Sequence, residues 1–114
     1  MKITLTKKFH FSASYAISPD RVIGHNYILG VTTEGVDEAA EMLLEKKIHE
    51  ALIQKIDSQD LGMHVDFLKN IKITDTNLLR VFWEIIRVEI HPIELSVLSL
   101  QRDEHTEVFI SRSD

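Results

Sequence analysis

The chain contains no cysteine, and that one absence removes structural disulfides, thiolate zinc sites and cysteine nucleophiles together. Proline occurs only at Pro19 and Pro92 and glycine only four times, so few positions force the backbone out of helix or strand. No apolar run approaches the roughly 20 residues of a membrane-spanning helix. The opening MKITLTKKFHFSAS alternates apolar and polar residues where a secretory signal would carry an unbroken apolar stretch. A soluble, cytoplasmic chain with no membrane partner is therefore expected. Clustered positive charge is missing too: the formal net charge is −5, with lysines and arginines scattered. A nucleic-acid backbone requires clustered cations, so DNA and RNA are not expected as principal partners.

A chain of 114 residues that is 44% apolar and 27% charged has globular proportions and a length that suits one domain, residues 1–114. Without disulfides, a fold this small often gains stability by association.

Apolar residues between Lys2 and Ser14 (Ile3, Leu5, Phe9, Phe11, Ala13) fall on one parity, which predicts a strand with one buried face. ISPDRVIG supplies turn residues at Pro19, Asp20 and Gly24, and HNYILGVTTEG reads as a second, antiparallel strand. From Asp37 the period changes. Ala40, Leu44, Ile48, Leu52 and Ile56 recur at helical steps among glutamates and lysines, which predicts a helix of about five turns. DSQDLGMHVDFLKNIKITD breaks that pattern and reads as a long loop. A second helix starts near Thr74, with Thr74, Asp75 and Thr76 all suited to its N-cap, and stops before His91–Pro92. IELSVLSLQRDEHTEVFISR alternates on both sides of a polar RDEHT, the pattern of a closing hairpin.

The order strand, strand, helix, helix, strand, strand predicts an α+β domain with an antiparallel sheet and both helices on one face. Apolar residues of both parities around Tyr27, Ile28, Leu29 and Val31 suggest that the other sheet face is covered by a second subunit.

With these elements in place the sequence resembles the 6-pyruvoyl tetrahydropterin synthase family, which includes the 6-carboxytetrahydropterin synthases. That family carries FSASH, then C-x-x-x-HGHNY, a helix ending in LDHxxLN, then PTxENLAxxIW and ETxxNxxxY. This chain has, in the same order, FSASY at 11 to 15, PDRVIGHNY at 19 to 27, KIDSQDL at 55 to 61, ITDTNLLRVFW at 73 to 83 and QRDEHTEVF at 101 to 109. The resemblance implies the tunnelling fold, with trimeric or hexameric homo-oligomeric barrels and a pterin or purine-like ligand bound at subunit interfaces.

It also implies a comparison of chemistry. The family holds a catalytic zinc with three histidines, and those positions here are Tyr15, Ile23 and His25. Isoleucine has no donor atom, so no metal cofactor is expected. The family's proton-abstracting cysteine falls on Pro19, and the aspartate and histidine of LDH fall on Asp57 and Ser58. The glutamate that anchors the pterin falls on Gln101, with Glu104 close by. An amide offers one acceptor where a carboxylate offers two.

The candidate site is thus His25 and Asp57 for proton transfer, with Gln101, Tyr15 and Glu104 for ligand contact. None of the other histidines has the HxxxH spacing of a helical metal pair. Two readings stand side by side. One is a divergent pterin synthase-like lyase acting on a pterin or related bicyclic compound, its activity altered or lost. The other is a non-catalytic binding or structural protein on the same scaffold. An aldolase working without metal is a third.

Overall fold

The computed structural model describes residues 3–112. β1 (Thr4–Ser18) and β2 (Arg21–Glu34) form one long antiparallel hairpin. Lys2, the expected start of the first strand, lies outside the described residues. At its other end the strand continues past Ser14, and the expected turn over residues 17–24 shrinks to Pro19 and Asp20. The physical reason is composition: Ile17, Val22 and Ile23 are β-branched and extend the ladder, while Pro19 supplies the fixed φ that starts a tight reversal.

Register decides which side chains share a face. Phe9 faces Leu29, Phe11 faces Tyr27, Ala13 faces His25 and Tyr15 faces Ile23, so the odd-numbered residues of both strands point to one side. β4 (Leu95–Arg102) continues the ladder beside β2, and β5 (Thr106–Ser111) closes it. A two-residue strand, β3 (Gln59–Asp60), runs parallel to Ala13 and Ser14 on the far edge of β1, so the sheet order is β3-β1-β2-β4-β5.

The helices cover the odd face. α1 (Glu38–Ile48) begins at Asp37, whose carboxylate accepts the Ala40 amide hydrogen at 2.8 Å. It passes without a break through a π turn (His49–Ile53) into α2 (Gln54–Ile56), so the helical run has the predicted length. Leu44, Ile48, Leu52 and Ile56 are all fully buried. A four-residue step is longer than the 3.6-residue α turn and drifts around an ideal helix. The wider π turn takes up this drift and keeps the stripe on the sheet. α3 (Asp75–Ile90) starts at Thr74, which accepts the Asn77 amide hydrogen at 3.1 Å. It buries Leu78, Leu79, Phe82, Ile86 and Ile90, while Trp83 is only partly buried at the margin of the core.

The segment expected as a loop after Asp57 is a packed flap. It buries Leu61, Val65 and Leu68, contains a short 3-10 turn (Asp66–Leu68), and is tied to β1 by Ser58 N–H to Ser12 O at 2.6 Å and Leu61 N–H to Ser14 O at 2.8 Å. Its apolar spacing follows neither the strand nor the helix period.

Phe11 and Tyr27 stack with centroids 4.8 Å apart, and Phe82 meets Phe11 edge-on. The even face of the sheet carries Ser12, Asn26, Ile28, Ser99 and Phe109; Phe109 is 63% exposed, so this chain's own helices do not cover it.

Two buried hydroxyls, those of Tyr27 and Thr33, have no hydrogen-bond partner among the described residues. Burial pushes the Tyr27 phenol far above its ordinary pKa. An unpaired buried hydroxyl costs about 1 to 3 kcal/mol. Tyr27→Phe is therefore expected to raise stability by about 1 kcal/mol, measured as a higher urea midpoint; a lower midpoint would show that the hydroxyl is bonded.

Candidate functional site

His25 lies on β2 opposite Ala13, on the helix side of the sheet. Its side chain is 13% exposed. The Tyr15 ring lies 5.9 Å away in a tilted arrangement, and the Tyr27 ring stands edge-on at 5.8 Å. Tyr15 and His25, proposed together from the sequence, are thus brought together.

Their neighbour was not among the candidates. Nδ1 of His25 is 2.7 Å from Oδ2 of Asp103, 78 residues further along the chain. Asp103 opens the turn between β4 and β5 with φ 57°, a left-handed conformation that aspartate tolerates better than most residues. That geometry folds the carboxylate back over β2. The Asn26 amide donates to Oδ1 at 3.3 Å, and the Asp103 amide donates to the Asn26 carbonyl at 2.8 Å. One residue earlier, Arg102 donates from Nε to Asp75 at the start of α3 at 3.0 Å, and this contact holds its guanidinium above the ordinary range. The strand end that carries Asp103 is therefore pinned both to β2 and to the helix layer.

Two clefts adjoin at this point. The first, about 360 Å³, is lined by His25 and Asp103 with Ser12, Ser14, Ser58 and Gln59. The second, about 820 Å³, contains Gln101, Glu104, His105, His10 and Ile28. Ser12, Asn26 and Asp103 belong to both. Gln101 pairs with Ile28 and so faces the side of the sheet opposite His25. Its Nε2 donates to the Asp103 carbonyl at 3.2 Å. Gln101 and Glu104 are thus together in the larger cleft, whereas His25 lines the smaller one and Tyr15 lines neither.

Asp57 stands apart. Its Oδ1 accepts the Ser12 amide hydrogen at 3.0 Å, a bond that fastens the flap to the edge of β1, and the smaller cleft reaches Ser58 and Gln59 but not Asp57.

The three-histidine zinc set implied by the resemblance can be tested on this geometry. Tyr15 and Ile23 are direct cross-strand partners, with His25 next on the same face, so the three positions come together, but only one of them is a histidine. Ile23 offers no lone pair, and among the described residues no group of three His, Cys, Asp or Glu side chains could hold a metal ion. The residues present do not fit zinc.

The His25 hydrogen bond, aided by the Asn26 amide, holds the Asp103 carboxyl below its ordinary range. Its stabilising effect is therefore complete above the unfolded-state value of about 3.9 and is lost as pH falls through the lower folded-state value. Asp103→Asn is expected to lower the thermal midpoint at neutral pH and to flatten its fall between about pH 5 and 2. Identical acid slopes for the two proteins would show that the pair contributes nothing.

No family model and no curated protein matches the sequence. Solved structures do match. The 6-pyruvoyl tetrahydropterin synthase of Caenorhabditis elegans superposes with a TM-score of 0.83 at 19% identity, over 99% of this chain and 97% of the other. An uncharacterized protein from Wolinella succinogenes gives 0.70 at 14% identity over 99% of each chain. The 6-pyruvoyl tetrahydropterin synthase of Plasmodium vivax gives 0.61 at 12% identity over 100% of this chain and 99% of the other. Identities of this size speak for backbone architecture: the chain has the fold of the 6-pyruvoyl tetrahydropterin synthases.

Proposed function

We propose that this chain binds a pterin or a related bicyclic heterocycle in the cleft of Gln101 and Glu104, at an interface between subunits of a homo-oligomer, and that it does so without resident zinc. The observation that carries the reading is the Gln101 contact. A pterin or guanine edge presents adjacent N–H donors and calls for acceptors. A glutamine would oppose that edge with its own NH2, but here one of its two N–H donors is taken by the Asp103 carbonyl. Oε1 is the acceptor the amide offers the ligand, and Glu104 in the same cleft supplies a carboxylate as the second acceptor. The cleft volume of about 820 Å³ lies within the usual range for small-molecule sites. Association of subunits is supported by the uncovered even face with Phe109, and by β5, which pairs with β4 at the end of the sheet and leaves an edge of the kind proteins normally protect.

Thermal denaturation with pterin, guanine and 7-deazaguanine tests the binding. A native-state ligand raises the midpoint by mass action, and Gln101→Leu is expected to weaken affinity by about tenfold, the equivalent of about 1.4 kcal/mol. No shift of the wild-type midpoint with any of the three at millimolar concentration overturns the reading.

The metal part has its own test. A zinc-bound histidine commonly donates its second ring N–H to a carboxylate, which is the arrangement of His25 with Asp103. The chain carrying both Tyr15→His and Ile23→His is therefore expected to retain about one zinc per subunit after dialysis, measured by atomic absorption, while the wild type retains far less. Stoichiometric zinc in the wild type would sink the zinc-free reading.

A further inference from the structure

We propose that the smaller cleft is a sugar subsite, so that the heterocycle held by Gln101 and Glu104 is the base of a purine-type nucleoside whose uncharged hydroxyls are bound by Ser12, Ser14 and Asn26. The proposal rests on the binding reading above and adds the class of substituent that the heterocycle carries.

Strand register sets the two clefts in line. On the even face of the sheet the cross-strand rows are His10–Ile28–Gln101, then Ser12–Asn26, then Ser14–Gly24. Side chains on one face recur every second residue, so these two rows stand about 7 and 14 Å from that of Gln101. A bicyclic base anchored at Gln101 spans the first interval, and a sugar on its far ring falls between Ser12 and Ser14. Ser12, Asn26 and Asp103 line both clefts, so the two spaces meet there. The subsite is on the face opposite the Tyr15, Ile23 and His25 side chains.

The walls of the smaller cleft suit hydroxyl groups. Ser12 Oγ donates to Asn26 Oδ1 at 2.7 Å, which leaves the serine oxygen as an acceptor and the asparagine NH2 as a donor. Ser58 and Gln59 add a hydroxyl and an amide from beside β1. A sugar hydroxyl donates and accepts, and so matches mixed walls. A phosphate does not match them. Among the described residues no lysine or arginine lines either cleft, whereas Asp103 lines both and Glu104 the larger. His25 lines the smaller cleft, but its Nδ1 is paired with Asp103 and its ring is on the helix side. His10 and His105 belong to the larger cleft, away from Ser14 and Gly24. Placing a second negative charge beside Asp103 is therefore disfavoured. Gly24 keeps the floor of the subsite open: a Cβ at this position would meet only the Ala13 carbonyl oxygen, at 3.9 Å. A larger side chain there has room to fold and would occupy the space of the sugar.

Isothermal titration of the intact chain at neutral pH tests the subsite. Guanosine is expected to bind about tenfold tighter than 9-methylguanine, the gain of one to two neutral hydrogen bonds. It is also expected to bind several-fold tighter than 2′,3′-dideoxyguanosine, and at least as tightly as guanosine 5′-monophosphate. Gly24→Val, which puts a β-branched residue into a strand, is expected to bring guanosine down to the level of 9-methylguanine and to leave 9-methylguanine unchanged. The sugar subsite is overturned by guanosine that binds no tighter than 9-methylguanine, by guanosine affinity that Gly24→Val leaves unchanged, or by tighter binding of the monophosphate. If 9-methylguanine binds while guanosine gains nothing, the heterocycle site stands and the sugar subsite falls. If neither binds, the sugar subsite falls and pterin alone decides the reading above. Should Gly24→Val not fold, the wild-type series decides by itself.

Discussion

In a strand pair as long as β1 and β2, a slip of one residue would turn every core side chain toward the opposite face. The register that places Phe11 on Tyr27 and Phe9 beside Leu29 is the constraint on which the remaining features depend. It is maintained by burial: Phe9, Phe11, Ala13, Tyr27, Leu29 and Val31 are all inside, and the Phe11–Tyr27 stack with Phe82 across it joins the sheet to α3. The same alternation that buries these residues places Tyr15, Ile23 and His25 together at the outer end of the hairpin. The site is a by-product of core packing extended beyond the core.

The charged pairs that tie the sheet to its surroundings divide into two kinds. Arg102 with Asp75 joins the sheet to a helix terminus, and Lys7 with Glu41 joins β1 to α1 at 3.2 Å; these partly exposed pairs contribute modestly to stability. His25 with Asp103 differs because it faces a cleft and because Asp103 adopts a left-handed backbone to make it. A conformation that costs energy persists where surrounding contacts hold it, and here they are the two hydrogen bonds to the Asn26 backbone. The scaffold thus holds an oriented histidine with Tyr15 and Ile23 beside it on the same face.

Much of this was legible in the residue pattern. The parity of Phe9, Phe11 and Ala13, the helical spacing of Leu44, Ile48 and Ile56, and the cap at Thr74 are local signals, and the observed elements follow them. The flap after Asp57 was not legible as structure, because its buried Leu61, Val65 and Leu68 follow no regular period and its backbone bonds go to β1. Asp57 stood out as a chemical candidate, yet its described bond is to the Ser12 amide. Asp103 is one of several polar residues in the turn RDEHT, and nothing near it in the chain marks it as the partner of His25.

The sequence by itself determined the order and kind of the main elements, the residue types at Tyr15, Ile23 and His25 and the absence of cysteine chemistry, because these depend on residue type and short-range periodicity. Only the tertiary structure decided that Asp103 meets His25, that Gln101 gives its NH2 to a backbone carbonyl, and that these two residues lie on adjoining clefts. Those contacts come from the pairing of β4 with β2 and from the φ of one turn residue, and short-range patterns carry no information about which distant strands will meet.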